Sequence, residues 1–435
     1  ILGANLSYTE PLGNRKYLEV NYNIRQNKND INRMTYNPGG ELMDSLSNVY
    51  NSNYVYQRGG LNLRINREQF SLTLGAAFQQ TVLDGEILRP ASQAAPINNT
   101  FANILPAVHF NYDFDNNMRL RMDYETSMQA PTIQQLTPVR DVTNLPNITE
   151  GDPNLDPSYQ HSMRLNFSKF DPVTFISFFT FVNASYTIDA ITNSLEYNIT
   201  DSITTTTSKP INRDNASLSG NTNVSFPLTK LFSRLNIGVN VLTQRSVNVS
   251  RELEDGELLN DFESDINQLT LGGNLRYTFT YKEIFDLSFS TRLSQQRTNY
   301  ESANNTDQKY FNKTYTTEAN YNFLKYYRLS GTFNYMEYEN LTNKSTVSIP
   351  MLNFSLSRYV LKANAVEIKV GVNNVLNRNL GVTQTANNNY FERQTMNSLG
   401  RYYMVSFTYA INRHLNPMGG GRRGSGPRMI MMGGQ

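Results

Sequence analysis

The feature that most constrains the fold is a two-residue alternation of apolar and polar side chains over long segments of the chain. In Met118–Glu125 the even positions are apolar and the odd positions are charged. Lys16–Arg25, Phe285–Leu293, Tyr315–Phe323 and Leu329–Tyr335 alternate in the same way. Because successive side chains of a β-strand point to opposite faces, each segment predicts a strand with one apolar and one polar face.

The connections between these strands help to separate two architectures. In a soluble sandwich the polar face meets water, whereas in a transmembrane barrel the apolar face meets lipid. The predicted strands are close to or above the about 9–11 residues that a tilted strand needs to cross a bilayer. Short and long connections also alternate along the chain. Outer-membrane barrels have short periplasmic turns and long extracellular loops, so the pattern favours an antiparallel transmembrane β-barrel.

The two classes of connection are distinct in the sequence. The predicted short turns are Glu10–Arg15, Asn66–Gln69, Phe114–Asn117, Lys169–Val173, Pro227–Ser233, Tyr281–Ile284, Leu324–Tyr326 and Ser357–Ala363. The predicted long loops are Gln26–Ser52, Gln80–Thr100, Ser127–Ser158, Asp189–Asn212, Arg245–Asp265, Thr298–Asn312, Tyr338–Lys344 and Asn377–Asn397. A sandwich gives no reason for all long loops to lie at one end.

The composition agrees with a membrane barrel. The chain has 435 residues, including 27 Tyr and 23 Phe, and a mean hydropathy of −0.51. A low mean is expected of a barrel, because only alternate residues face lipid. The absence of cysteine excludes disulfides, thiolate metal sites and cysteine nucleophiles. A net charge of +2 gives no indication of a nucleic-acid partner.

The directions of the first and last predicted strands indicate how much of a barrel the sequence contains. We count roughly 17 strands. The first, Leu2–Tyr8, enters a short turn and the last, Arg401–Ile411, follows a long loop, so both run towards the periplasm. A complete single-chain barrel has an even strand number and both ends inside. We therefore expect residues 1–412 to be the C-terminal part of a barrel of about 22 strands, with preceding strands outside this sequence.

A stretch of irregular sequence, Ser127–Gln160, interrupts the alternation. It contains five prolines and lies between an ascending and a descending strand. Proline limits flexibility where no ladder hydrogen bond is needed, so we expect an ordered extracellular loop folded over the barrel mouth. Its candidate ligand contacts are Thr132, Gln134, Arg140, Asp141, Asn144 and Asn154.

Two segments carry a resemblance to known proteins. The first is "QAPTIQQLTPVRDVTNLPNITEGDPNLDPSYQHSMRLNFSKFD", and the second is "NVLNRNLGVTQTANNNYFERQTMNSLGRYYMVSFTYAI". They resemble the barrel of TonB-dependent receptors and, more closely, the related outer-membrane β-barrel family of Gram-negative bacteria. The resemblance implies a receptor in the bacterial outer membrane that binds and takes up a ligand, in contact with lipids and lipopolysaccharide. It also implies a TonB-type energiser acting through an N-terminal plug, which this sequence does not contain.

A second function remains open, that of a non-transporting barrel subunit in a larger outer-membrane assembly. The segment 413–435 is rich in Gly, Arg and Met and follows the last strand. We predict a flexible periplasmic tail there, and the alternative is a peptide that binds partner proteins.

Charged residues elsewhere suggest further sites. Alternation places Arg119, Arg121, Asp123 and Glu125 on the lumenal face, where charge pairing explains them better than acid–base catalysis, and it places His109 there too. An acidic segment is either a solvated loop, which we favour, or a cation site; its residues are Glu252, Glu254, Asp255, Glu257 and Asp261. No catalytic or phosphate-binding motif occurs, so we expect neither an enzyme nor a cofactor.

Overall fold

The computed structural model describes residues 1–91, 95–144, 146–200, 203–254, 257–282, 284–301, 307–361, 365–378, 380–386, 391–397 and 399–410. Of the predicted segments, the tail 413–435 and Asp255 lie outside these residues. Nearly all of the described chain is strand. One α-helix of a single turn, α1 (Ile133–Leu136), occurs within the described ranges. No helix in them is long and apolar enough to cross a membrane.

The strands are long and follow one another closely. In chain order they are β1 (Leu2–Gly13), β2 (Lys16–Arg33), β3 (Asn48–Asn66), β4 (Phe70–Arg89), β5 (Ala95–Phe114), β6 (Met118–Gln129), β7 (Asp141–Asn144), β8 (Asn147–Thr149), β9 (Ser158–Phe170), β10 (Ser177–Thr200), β11 (Ile203–Leu228), β12 (Ser233–Glu254), β13 (Glu257–Tyr281), β14 (Phe285–Tyr300), β15 (Gln308–Phe323), β16 (Tyr327–Asn340), β17 (Ser345–Val360), β18 (Val366–Asn373), β19 (Leu380–Ala386), β20 (Phe391–Asn397) and β21 (Tyr402–Tyr409).

The large sheet is an antiparallel meander. Apart from the short β7 and β8, its 19 strands pair in chain order, β6 with β9 and β18 with β21 across the intervening loops. The remaining pair, β19 and β20, forms a separate hairpin. Strands β1 and β21 are the two edges, run in the same direction, and are not paired with each other in the described residues. The predicted fold class, a transmembrane β-barrel, is confirmed.

The predicted short turns lie between consecutive antiparallel strands, although strands extend into several of them, and residues 283, 362 and 363 lie outside the described ranges. Asn14 and Arg15, which join β1 to β2, have φ of 51° and 59°. Leu324 and Lys325, which follow β15, have φ of 48° and 62°. Two consecutive positive φ values are the geometry of the tight hairpin turns that match the twist of adjacent strands.

The predicted long loops are wrong in extent, because strands continue through most of them. The described residues of the segment Asp189–Asn212 belong to β10 and β11, which have 24 and 26 residues. The segment Arg245–Asp265 lies almost entirely in β12 and β13. Outside the bilayer neither face of a hairpin meets lipid, so a regular alternation of apolar and polar residues is no longer required. The hairpins therefore extend above the membrane as ribbons.

One face of the sheet is an exposed apolar surface. In β21, Tyr403, Val405 and Phe407 are 78%, 74% and 70% exposed. They pair with Val372, Val370 and Ile368 of β18. In water this surface would be costly, and its contact with the hydrocarbon of a bilayer accounts for it.

Above the barrel the strand order changes. In the lower part, β10 lies between β9 and β11. After a bulge between Thr187 and Ala190, Leu195–Ile199 of β10 pair in parallel with Ser250–Glu254 of β12. At the same level, Thr206–Ser208 of β11 pair in parallel with β8. The β10–β11 hairpin thus rotates by half a turn, so that the extracellular order is β7–β8–β11–β10–β12–β13.

Candidate functional site

The irregular stretch Ser127–Gln160 is an ordered loop packed onto the inner wall of the barrel. Ile133 and Leu136 of α1 are buried in a cluster with Tyr50 and Leu83, from the lumenal faces of β3 and β4. Leu155 completes the cluster. The apolar residues of the loop therefore hold it over the mouth, as its sequence predicted.

Polar contacts fix the same loop. The Tyr54 hydroxyl, in the extracellular part of β3, donates to the carbonyl of Pro131 at 3.1 Å. Burial there raises the pKa of Tyr54 to about 12, so the hydroxyl stays protonated. The Arg33 guanidinium pairs with Asp141, and Arg140 pairs with Glu150 at 3.0 Å.

Two glycines allow the loop to approach so closely. A Cβ on Gly85 would lie 2.5 Å from Cδ1 of Ile133. A Cβ on Gly151 would meet the carbonyl oxygens of Thr137, Gln135 and Gln134 at 2.5, 2.6 and 2.8 Å. Gly151 also donates its N–H to Thr137 at 3.0 Å. At Gly151, where the contacts are all with backbone, only glycine fits.

The six candidate contacts of the loop fall into different structural roles. Thr132 caps α1 through a reciprocal capping box with Gln135, and Asn154 donates to Asp152 within a turn. Arg140 and Asp141 form the ion pairs described above. Gln134 is exposed on α1, and Asn144 lies in β7. Four of the six thus stabilise the loop, and their role in ligand binding stays a prediction.

A cavity of about 620 Å³ lies in the barrel lumen at the base of this loop. Ser127 and Gln160, the two ends of the irregular stretch, are among its walls. The other lining residues come from β2, β3, β4, β5, β6, β9 and β10: Asn21, Arg58, Gly60, Asn62, Gly75, Ala76, Ala77, Leu105, Ala107, His109, Glu125, Thr126, Ser162, Arg164 and Asn183. The volume falls within the range of small-molecule sites.

One wall of this cavity is lined by small residues, which leave space in front of it. On the lumenal face, Gly60 pairs with Ala77 and Gly75 pairs with Ala107. A Cβ on Gly60 would lie 2.8 Å from the amide oxygen of Asn21, and one on Gly75 would overlap the amide oxygen of Asn62. The asparagine amides thus lie flat over the glycines, and the wall presents amide groups instead of longer side chains.

The opposite wall carries the predicted lumenal charges. His109 lies 2.9 Å from Asp123, which is also 2.7 Å from Arg121. Glu125 is 2.6 Å from Arg164 and 3.8 Å from His109. Arg119, nearer the periplasmic end, pairs with Asp113 at 2.5 Å. Each of the three carboxylates, Asp113, Asp123 and Glu125, thus lies beside an arginine.

The acidic segment provides no metal site in the described residues. Glu252 and Glu254 end β12, whereas Glu257 and Asp261 begin β13. Asp261 lies 3.3 Å from Arg251, and Glu252 accepts a hydrogen bond from Asn260 at 2.8 Å. Within the ranges that the structure describes, no group of three or more metal-ligating side chains occurs.

Sequence reasoning missed the wall formed by Gly60, Gly75, Ala77 and Arg58, called the glycine wall below, and above all it missed Arg58. Their signal was present, because the pair Gly59–Gly60 interrupts an otherwise regular strand. An isolated glycine in a strand often marks a position where another group approaches closely. Which group approaches depends on the cross-strand register, which the sequence did not give.

The apolar outer face, polar lumen and extracellular hairpins define an integral β-barrel of the bacterial outer membrane. A family model described as "Outer membrane protein beta-barrel family" matches residues 1–268. The chain belongs to this family, and the predicted family and location are confirmed. No curated protein matches its sequence.

Solved structures similar to this chain are distant in sequence. The copper transporter OprC is 8% identical, with 94% of this chain and 65% of OprC covered and a TM-score of 0.43. The FrpB iron transporter from Neisseria meningitidis is 10% identical, with 94% and 71% covered and a TM-score of 0.38. The ferripyoverdine receptor of Pseudomonas aeruginosa is 11% identical, with 94% and 64% covered and a TM-score of 0.32. The chain therefore spans about two thirds of the length of these proteins.

Proposed function

We propose that this chain forms the ligand-binding barrel of a receptor of the TonB-dependent type, which takes up a ligand across the outer membrane. The observation that carries the proposal is the lumenal cavity at the base of an ordered extracellular loop. A ligand arriving from outside would contact the loop first and then the cavity. The TonB-type energiser would act through a region outside this sequence, and no catalytic role is assigned to any residue.

Filling the cavity tests the proposal. Ser162 lines the cavity on β9, whereas Ser168 lies on the same lumenal face nearer the periplasm and does not line it. Ser162→Trp should occupy part of the space and reduce ligand retention and uptake at least about tenfold, because an overpacked site excludes its ligand. Ser168→Trp is the matched control and should leave both close to wild type.

The assay starts from the natural ligand. The protein is purified from its native outer membrane, and retained small molecules and co-purifying chains are identified by mass spectrometry. Uptake of the recovered, labelled compound is then measured in intact cells with and without a protonophore. We expect uptake, but not binding, to stop when the proton gradient is removed.

The competing function predicts a different result. A structural subunit would retain no small molecule and would co-purify with partner chains in fixed stoichiometry. Equal uptake by Ser162→Trp and wild type would also contradict the receptor proposal. Removing residues 419–435 separates the two roles of the tail, since loss of partners after this deletion would identify it as a docking peptide.

A further inference from the structure

The charges of the cavity are unequally distributed between its two walls. On the β5–β6–β9 wall, Glu125 is engaged by Arg164 at 2.6 Å and lies 3.8 Å from His109. On the glycine wall, Arg58 of β3 has no hydrogen bond or ion pair with any described residue. An arginine remains protonated at all physiological pH values, so this wall carries an uncompensated positive charge.

The neighbours of Arg58 on the lumenal face cannot neutralise it. Its cross-strand partners are Asn23 of β2 and Gln79 of β4, both uncharged. Gln79 is buried and already bonded: it donates to the carbonyl of Met128 at 3.1 Å and accepts from Tyr56 at 3.3 Å. Arg25, the next lumenal residue after Asn23, adds a second positive charge.

The geometry leaves room for a ligand group beside this guanidinium. The next lumenal pair towards the periplasm is Gly60 and Ala77, which carry almost no side chain. Arg58 is half-buried, so a group bonded to it would be shielded from part of the solvent. The Nε of Arg164 across the cavity is buried and also lacks an acceptor. Guanidinium groups bind carboxylate and phosphate through two parallel hydrogen bonds.

We propose that the cavity takes a ligand bearing an oxyanion, a carboxylate or a phosphate, which Arg58 holds over the Gly60–Ala77 floor. The inference rests on the proposed function and deepens it, because it names the chemical class of the ligand. The Asn21 and Asn62 amides contact the neutral part of the ligand. Glu125 and Arg164 remain paired and close the far side of the site.

Arg64 provides a matched control for Arg58. It lies on the same strand and the same lumenal face, but it pairs with Glu19 at 3.6 Å and does not line the cavity. Arg58→Gln and Arg64→Gln each remove one positive charge from the lumen. A nonspecific effect of lumenal potential would therefore appear in both variants, whereas an effect of the site appears only in the first.

The test is calorimetric titration of the full chain in detergent micelles, at physiological ionic strength, with citrate, inorganic phosphate and neutral maltotriose. We expect saturable binding of at least one anion, none of maltotriose, a loss of at least about tenfold in Arg58→Gln, and a change within about twofold in Arg64→Gln. Arg58→Lys keeps the positive charge but loses the two parallel N–H donors of the guanidinium, so its affinity for the anion should fall between those of wild type and Arg58→Gln. Migration on unheated gels verifies that each variant folds.

Each outcome decides between the alternatives. Anion binding that is equal in wild type, Arg58→Gln and Arg58→Lys overturns the inference, as does preference for maltotriose. If Arg58→Gln does not fold, weaker anion binding by Arg58→Lys supports the inference and wild-type binding overturns it. Anion binding without uptake in cells would support the anion site and contradict the proposed transport. Uptake of a neutral ligand would support the proposed transport and contradict the anion site.

Discussion

Gly151 shows how a single residue holds the extracellular loop in place. It packs against three backbone carbonyls, those of Gln134 and Gln135 in α1 and of Thr137 at its end, and a Cβ at this position would lie within 2.8 Å of all three. The neighbouring Asp152 donates its N–H to Gln135 at 2.7 Å, and Glu150 donates to Ser208 of β11 at 3.0 Å. The segment 150–152 therefore joins α1 to the extracellular sheet.

Replacing Gly151 should loosen this junction. Gly151→Ala forces the backbone apart, and we expect it to lower the local opening free energy of the loop by about 1–3 kcal/mol. Hydrogen exchange of the amides of Ile133–Leu136 measures the effect. Gly273→Ala is the control, because its Cβ would only reach Gly238 at 3.8 Å. Unchanged exchange in Gly151→Ala would show that the contact does not hold the loop.

Asp171 organises the periplasmic turn between β9 and β10. Its carboxylate accepts hydrogen bonds from the Thr174 hydroxyl at 2.6 Å and from the Val173 N–H at 2.9 Å. These bonds lower the pKa of Asp171 below its usual range, because they favour the charged form. The carboxylate therefore stabilises the folded state above its unfolded pKa, and this stabilisation is lost as the pH falls through the folded value.

Asp171→Asn should therefore destabilise the barrel at neutral pH but not in acid. We expect its denaturation midpoint to lie below that of wild type at pH 7 and the difference to shrink below about pH 4. The measurement is urea unfolding in micelles at pH 7 and again below about pH 4. Asp115→Asn, in another periplasmic turn, has no side-chain hydrogen bond among the described residues and serves as the control. A difference that persists undiminished in acid would exclude the carboxylate as its cause.

At the scale of elements, the β10–β11 hairpin departs most from a simple meander. Ion pairs cross the rotated part of the hairpin. Lys209 of β11 lies 3.0 Å from Glu196 of β10, and Glu196 lies 3.6 Å from Arg251 of β12. Lys209 also approaches Glu150 of the loop at 3.7 Å. These ion pairs link the loop over the cavity to the β10–β11 hairpin and, through it, to β12.

Engineered disulfides can test this strand order directly, since the chain has no cysteine. Tyr197 and Glu252 are register partners of β10 and β12. We expect a disulfide to form in Tyr197→Cys/Glu252→Cys and not in Lys209→Cys/Glu252→Cys, which would be adjacent only if β11 stayed beside β12. Proteolysis followed by mass spectrometry distinguishes the two pairs. The reverse result would contradict the rotated hairpin.

This element also shows the limit of sequence reasoning. The lower halves of β10 and β12 could be predicted, because lipid on one side and the lumen on the other impose alternation. The upper halves could not, since Thr, Ser and Asn predominate in segments such as Asp189–Asn212, which therefore resemble loops. Their parallel pairings join residues far apart in sequence, and no local pattern records such a register.

For the whole molecule, the sheet should tolerate charge on one face only. Val239 of β12 faces outward and is 59% exposed, and the next residue, Asn240, faces the lumen. Val239→Lys should cost about 2–4 kcal/mol near the middle of the bilayer, whereas Asn240→Lys should cost much less. Folding into lipid vesicles, followed by urea titration, measures both. Similar costs would contradict the assignment of the two faces.

The candidate site was only partly predictable at this scale. The lumenal position of His109 and the charges of β6 followed from alternation alone. The cavity did not, because it is formed by seven strands whose side chains meet only after the sheet curves. Arg58 is a further example: its lack of a partner depends on Asn23 and Gln79 lying beside it, which is a property of register.

A structure of the protein purified from its native outer membrane, without added ligand, tests the proposed site most directly. We expect density for a small molecule in the lumenal cavity, beneath the loop and beside Arg58. Ligand density found only outside the lumen would contradict it. So would a cavity occupied by another polypeptide together with partner chains and no small molecule.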